Sequence, residues 1–455
     1  MYYALKCKEY QSLFLDKQAF EKVAKQYPHA LCKTFPTSKE GLSWLHEKTN
    51  DMPSTKKQTK QKTSLNYQAL SSQQKETIEG ACNLFHKGKR VITIYGAAGT
   101  GKTTIVKFIM KKLKISNKQL LFTTFTGRAS LMLRKKGIDA KTIHSTFYTC
   151  FKNKNGKFHF RLKDELHGSF KLIVIDEISM VGKRLFDDLL SFDIPILCLG
   201  DPYQLQPVMD DRVDLKPDFL LTDIFRQEKD SNIISFATKI RTTGNWKGNY
   251  HELDLLCMNA RRATVQDYLQ ANQVLCGTNK MRKKINIGMR KHLGFTQPIP
   301  EKGDKLISLD NHWDVLDEDL QEFALVNGMI FTVDEIYHIH LDTKVFYNQY
   351  MDVRLKADGF EEIYFQTRIN LCPFLEINTE FDEEVDGLQE FLSNSHHFDF
   401  GYAITIHKAQ GSEWDHVLVY GNFWGKEKKQ MAYTAATRAA KKLVWLQVEQ
   451  ERKGG

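Results

Sequence analysis

The chain has 455 residues, 42% of them hydrophobic and 26% charged, with a formal net charge of +10. That length exceeds one ordinary core, so two to four domains are expected, and the positive balance favours polyanionic partners without specifying a fold. No apolar run approaches the roughly 20 residues that cross a bilayer. The eight cysteines, at positions 7, 32, 82, 150, 198, 257, 276 and 372, form no C-x-x-C pair, which argues against a zinc or disulfide framework and for buried thiols in a reducing compartment. The start, MYYALKCKEY, carries no signal-peptide pattern. A cytoplasmic protein without a membrane partner is expected, in the host cytoplasm if a phage encodes it.

Residues 1–48 read as a small α+β module, with strands at 2–6, 12–15 and 30–35 and helices at 17–26 and 38–48. The pattern carried by Tyr3, Phe20, Tyr27, Lys33, Phe35 and Trp44 resembles the N-terminal module of eukaryotic-type ribonucleases H and of caulimovirus viroplasmin. That resemblance implies duplex binding, with RNA–DNA hybrid as a partner. Residues 49–64, TNDMPSTKKQTKQKTS, are polar and lysine-rich and read as a linker.

From residue 65 a capped amphipathic helix is expected, with Leu70, Ile78, Ala81 and Leu84 on one face. The stretch VITIYGAAGTGKTT, residues 91–104, then gives strand, glycine loop and helix, the context that makes G-x-x-x-x-G-K-[ST] a P-loop. The loop residues Gly96, Ala97, Ala98, Gly99, Thr100 and Gly101 let successive N–H groups face the phosphates of ATP. Lys102 adds a point charge, Thr103 a hydroxyl for Mg²⁺, and Thr104 continues the first helical turn. A second buried strand is expected at 119–124, followed by FTGRAS. The apolar run KLIVID ends in Asp176 and Glu177, where a parallel strand delivers two carboxylates to the phosphates. Asp176 is assigned to Mg²⁺, and Glu177 to orienting and deprotonating the attacking water. Between FTGRAS and KLIVID, residues 148–169 read as a hairpin around Lys-Asn-Gly.

The second half adds LTDIFRQ at 221–227, FGYAITIHKAQGSEWDHVLVY at 400–420 and MAYTAATRAAKKLVWL at 431–446, with Arg438 expected on a helix rich in small residues. Seven such segments in order, across residues 66–442, resemble the superfamily 1 DNA helicases, in the RecD/Dda-like branch that translocates 5′ to 3′.

The resemblance implies two RecA-like P-loop domains in tandem, an α/β architecture with a hairpin insertion and a small SH3-like β-barrel insertion. The implied limits are 65–215 for the first domain, 216–300 and 396–455 for the second, and 301–395 for the barrel, which is too short for a long tower. It assigns Gln74 to the adenine edge, Gln204 to the γ-phosphate, Arg226 and Arg438 to the transition-state charge, and Gly411 and Glu413 to the nucleotide. The single-stranded DNA grip falls to Thr124, Arg128, Thr142 and His144 in the first half and to Thr405, His407 and Lys408 in the second. The hairpin takes the place of the family's separation pin. The implied activity is ATP-dependent unwinding of forked DNA by a monomer, with a single-strand-binding protein as a candidate partner. The alternative is a translocase that displaces proteins or resolves RNA–DNA hybrids without processive unwinding.

Overall fold

The computed structural model describes residues 2–6, 11–14, 31–36, 40, 67–152, 158–205, 213, 215–223, 231–318, 324–360, 363–379 and 387–448. The expected helix at 17–26, residues 41–48 of the next, the linker, the hairpin tip at 153–157 and Arg226 lie outside these residues. At the N-terminus, β1 (Tyr2–Lys6), β2 (Gln11–Phe14) and β3 (Leu31–Phe35) form an antiparallel sheet in the order β2-β1-β3.

The first lobe is a six-stranded, all-parallel sheet. Its strands are β4 (Val91–Gly96), β5 (Leu120–Thr124), β6 (Ala140–Thr142), β9 (Leu172–Asp176), β10 (Ile196–Gly200) and β11 (Phe219–Leu221), in the order β11-β4-β10-β9-β5-β6. Strands covered on both faces read as continuous apolar runs, as LIVID and ILCLG do. One face buries Ile94, Phe122, Val174 and Leu199 against Ile78 of α1 (Ser72–His86) and Ile105 and Ile109 of α2 (Lys102–Leu113). The other buries Ile173, Ile175 and Cys198 against Phe147 of α4 (Ile143–Phe147) and Phe186 and Leu189 of α5 (Lys183–Leu190). Helix α3 (Gly127–Lys135) follows β5. The hairpin strands β7 (Tyr148–Lys152) and β8 (Phe158–Leu162) pair antiparallel from Tyr148 opposite Leu162 to Lys152 opposite Phe158.

The second lobe repeats the plan. Strands β12 (Leu255–Asn259), β13 (Gln273–Cys276), β21 (Ala403–Thr405), β22 (Trp414–Gly421) and β23 (Ala439–Gln447) are all parallel, in the order β12-β23-β22-β13-β21. Helices α6 (Asn232–Thr243) and α10 (Lys428–Ala436) pack together over Trp445, Phe236 and Tyr433, while α7 (Val265–Gln270) and α8 (Asn279–His292) flank β13. The two parallel sheets are two RecA-like lobes.

One expectation changes here. Helix α10 ends at Ala436, so Ala439 and Ala440 open β23 and Arg438 stands at the junction. Its carbonyl accepts from Trp414 N–H at 2.9 Å, a strand contact that ends the helix.

Between the parts of the second lobe lies a five-stranded antiparallel sheet. It contains β14 (Lys305–Ser308), β17 (Ile330–Leu341), β18 (Gln349–Ala357), β19 (Tyr364–Asn370) and β20 (Phe398–Phe400), in the order β19-β18-β17-β14-β20. A two-stranded pair, β15 (His312–Leu316) with β16 (Ala324–Leu325), adjoins it. The sheet runs past the expected limit at residue 395, because β20 pairs with β14. Its hairpin is also longer than the segment length suggested: β17 has 12 residues, about 40 Å of strand.

Candidate functional site

The nucleotide loop follows from its glycines. Gly101 caps α2 at φ 76°, and a Cβ there would stand 2.6 Å from Gln74 Nε2, so both conformation and space demand glycine. Within the loop, Thr100 is buried and its Oγ1 donates to Ala97 O at 2.9 Å. Lys102 Nζ donates to Gly96 O at 2.7 Å and Ala97 O at 3.1 Å, folding its charge over the loop. Thr104 is exposed one residue past Thr103.

Thr103 Oγ1 donates to Asp176 Oδ2 at 3.5 Å, bringing the two expected Mg²⁺ residues together from α2 and β9. Burial, and then the charge of Glu177, push the Asp176 carboxyl up to about 6, against the lowering effect of Lys102. A hydroxyl and a half-buried carboxylate beside a second carboxylate are hard oxygen donors in a place where a divalent cation relieves repulsion, so the residues fit Mg²⁺. Glu177 holds φ 57°, and its N–H donates to Asp176 Oδ1 at 3.0 Å.

Gln74 departs from its expected role. It is buried, its Oε1 accepts from Ser71 N–H at 3.1 Å in a capping box, and its Nε2 donates to Thr100 O at 3.0 Å. Its amide therefore braces the phosphate loop, where an adenine-reading residue would present both groups to the base. The neighbouring Gln73 clamps the segment that leads to Arg226: its Oε1 accepts from Thr222 N–H at 2.8 Å and Asp223 N–H at 3.0 Å.

The second lobe reaches the loop through α10. Tyr433 hydroxyl accepts from Ala98 N–H at 3.0 Å and donates to Asp201 Oδ2 at 2.8 Å, while Thr434 Oγ1 accepts from Leu205 N–H at 2.9 Å. Arg438 follows, 5% exposed, its Nε donating to Thr434 O at 3.1 Å and Nη1 to Ser412 O at 3.0 Å. Gln204 sits in the same wall, donating to Asp201 Oδ2 at 3.3 Å, with its Oε1 buried and unpartnered. Gln410 Nε2 donates to Leu205 O at 2.8 Å. Arg241 of α6 lies 4.8 Å over the Tyr203 ring with its Nε buried and unpartnered. Sequence reasoning does not single out Gln73, Tyr203, Arg241 or Tyr433. Only Tyr433 carries a signal, a polar aromatic among small residues five positions before Arg438.

Gly411 and Glu413 make their contacts here with the first lobe. A Cβ on Gly411 would lie 3.2 Å from Ala129 Cβ, and Glu413 pairs with Lys136 Nζ at 3.4 Å, so this loop packs on α3 of the first lobe. Arg128 is likewise taken up by the interface. Its guanidinium lies 4.5 Å over the Trp414 indole, its Nε is buried without a partner, and burial pushes its pKa down to about 10. A stacked, buried arginine presents no charge to a strand in this arrangement.

Of the other expected strand contacts, Thr124 is buried with Oγ1 donating to Thr126 O at 2.9 Å, and Thr142 Oγ1 caps α4 by accepting from Ser145 N–H at 3.1 Å. His144 stands in an aromatic cluster, 5.2 Å from Phe160, 5.5 Å from Tyr148 and 6.3 Å from Phe125, and burial lowers its pKa. That cluster joins the root of the hairpin to the end of β5. Thr405 and His407 are half-buried at the end of β21, and Lys408 Nζ donates to Asn327 Oδ1 at 3.1 Å.

A P-loop in one RecA-like lobe, covered by an arginine-bearing segment from a second lobe of the same chain, defines a tandem motor ATPase. The family model of an AAA domain matches residues 69–255, and that of a UvrD-like helicase C-terminal domain matches residues 400–446. The ATP-dependent DNA helicase Dda of Enterobacteria phage T4 is 25% identical over 371 residues, covering 73% of this chain and 82% of that protein. The ATP-dependent RecD2 DNA helicase of Deinococcus radiodurans is 25% identical over 374 residues, covering 77% of this chain but 46% of the longer protein. Pif1 of Campylobacter jejuni is 24% identical over 373 residues, covering 70% and 80%. Among solved structures, Pif1 helicase from Bacteroides in complex with ADP-AlF3 and ssDNA has a TM-score of 0.47 at 19% identity, covering 81% of this chain and 91% of that one. The chain is similar to the superfamily 1 helicases of the Dda, RecD2 and Pif1 group, and its two matched domains are those of an ATP-hydrolysing helicase.

Proposed function

We propose that the protein translocates 5′ to 3′ on single-stranded DNA and unwinds forked duplex DNA, using ATP. One observation carries the reading: α10 of the second lobe is hydrogen-bonded to the phosphate loop of the first at Ala98 and to the sensor turn at Asp201 and Leu205. A nucleotide at that seam biases how the lobes meet, and each cycle shifts the strand between the His144 cluster and the Thr405 to Lys408 turn. Thr103 and Asp176 would hold Mg²⁺, which would supply charge neutralisation at the phosphates. Glu177 takes the proton of the attacking water, and Lys102, Arg226 and Arg438 bear on the phosphate oxygens.

Separating one base-pair step costs about 1.4 kcal/mol, and the hairpin has only to block the returning strand. Aromatics at its root can stack on bases for roughly 1–3 kcal/mol each. The N-terminal module adds affinity for RNA–DNA hybrid.

The test is unwinding of duplexes with a 5′ or a 3′ tail in the presence of a trap strand, by the full chain and by a variant lacking residues 153–157. The 5′-tailed duplex should open at least tenfold faster, and the deletion should keep DNA-stimulated ATPase while losing strand separation. Equal use of both tails overturns the polarity. An unaffected deletion variant overturns the pin, and ATPase without opening of either duplex leaves a translocase.

A further inference from the structure

The hydrogen bond that joins the second lobe to the phosphate loop belongs to Tyr433, to which none of the motif assignments gives a role. Its side chain is 2% exposed, and its hydroxyl uses both halves of its capacity, accepting from Ala98 N–H and donating to Asp201 Oδ2. Burial and the Asp201 charge raise its pKa, so the phenol stays neutral and keeps the proton it donates. Its ring meets Tyr203 edge-on, with centroids 6.2 Å apart.

Two loops that report on the nucleotide thus end on one oxygen atom. Ala98 lies within the phosphate loop, and Asp201 opens the turn that carries Gln204 and shares its Oδ2 with that residue. From Tyr433 the path to Arg438 is short. Thr434, next in the helix, accepts from Leu205 N–H through its hydroxyl and from Arg438 Nε through its carbonyl. Any shift of either loop therefore moves the end of α10 and the guanidinium held there.

We infer that Tyr433 is a positioning residue for ATP hydrolysis, its hydroxyl setting where Arg438 stands according to the state of the phosphate loop. The inference rests on the helicase reading and deepens it. An ordinary packing tyrosine at a lobe interface affects stability alone. A positioning tyrosine affects turnover, and does so only while Arg438 is present.

Tyr433→Phe keeps the ring and removes the hydroxyl. DNA-stimulated kcat should fall about tenfold, the equivalent of one hydrogen bond to a charged group. KM for ATP should change less than about threefold, with the melting temperature nearly unchanged. In an Arg438→Ala background the same substitution should lower kcat less than about twofold further, because the group it positions is gone. A wild-type kcat in Tyr433→Phe overturns the inference, and so do losses that multiply in the double variant. A wild-type protein whose ATPase is indifferent to DNA overturns the helicase reading, a result separable from these because it needs no variant.

Discussion

Glu177 holds a left-handed backbone at φ 57° without being glycine, a conformation that costs about 1–3 kcal/mol and persists where the surroundings enforce it. Here it follows the last residue of the parallel strand β9, and its own N–H donates to Asp176 Oδ1. Glu177→Gln preserves shape and removes the base. It should bind ATP with near-wild-type affinity and hydrolyse it at least about a hundredfold more slowly, within the range of general-base catalysis; turnover near wild type in a single-turnover assay would show that the water is activated by another group. The P-loop and the acidic pair that closes β9 were legible in the sequence because they depend on backbone geometry and on neighbours a few positions away. Gln74, Arg128 and Glu413 were not, because their partners, Thr100, Trp414 and Lys136, lie 26, 286 and 277 positions away. No local pattern reveals those distant partners, although the Ser71-to-Gln74 spacing of a capping box marks one end of the Gln74 amide as engaged.

Among the elements, β4, β5 and β9 were readable from apolar runs, and α1 from its capping residues. The end of α10 was not, since a stretch of alanines suits helix and buried strand alike and Trp414 decides between them. The same strand β22 predicts an acid response. His416 is half-buried with its Nε2 unpartnered, beside Lys442 of β23 and with Asp267 of α7 as the opposing charge; burial and Lys442 lower its pKa to about 4. The unfolded chain takes up this proton near the ordinary 6.5 and the folded chain only near 4. Its contribution is therefore complete above pH 6.5 and is lost as pH falls towards 4, amounting to up to about 3 kcal/mol. His416→Leu should flatten that part of the stability profile in urea titrations between pH 4 and 7. An unchanged slope would assign the acid sensitivity to other groups.

At the scale of the molecule, the lobes meet along two seams, one at the nucleotide loop and one where α3 meets the turn at Gly411 and the antiparallel insertion. At the second seam there is no slack: a Cβ on Gly127 would fall 2.0 Å from Val326 Cγ2. Gly127→Ala should hold the lobes apart and raise KM for ATP about fivefold or more, the equivalent of roughly 1 kcal/mol of overpacking, and Val326→Ala should restore it. A Gly127→Ala enzyme with wild-type KM would mean that the seam yields without cost. The tandem lobes were legible from motif order, whereas this seam depends on an inserted sheet whose placement no motif encodes. Val326 precedes the Asn327 that holds Lys408, so the insertion touches the first lobe and the turn after β21 in the second with adjacent residues. The inserted sheet therefore borders both lobes through two consecutive residues, and exchanging it should alter lobe closure, and with it the use of ATP, as well as any hold on DNA at Lys408.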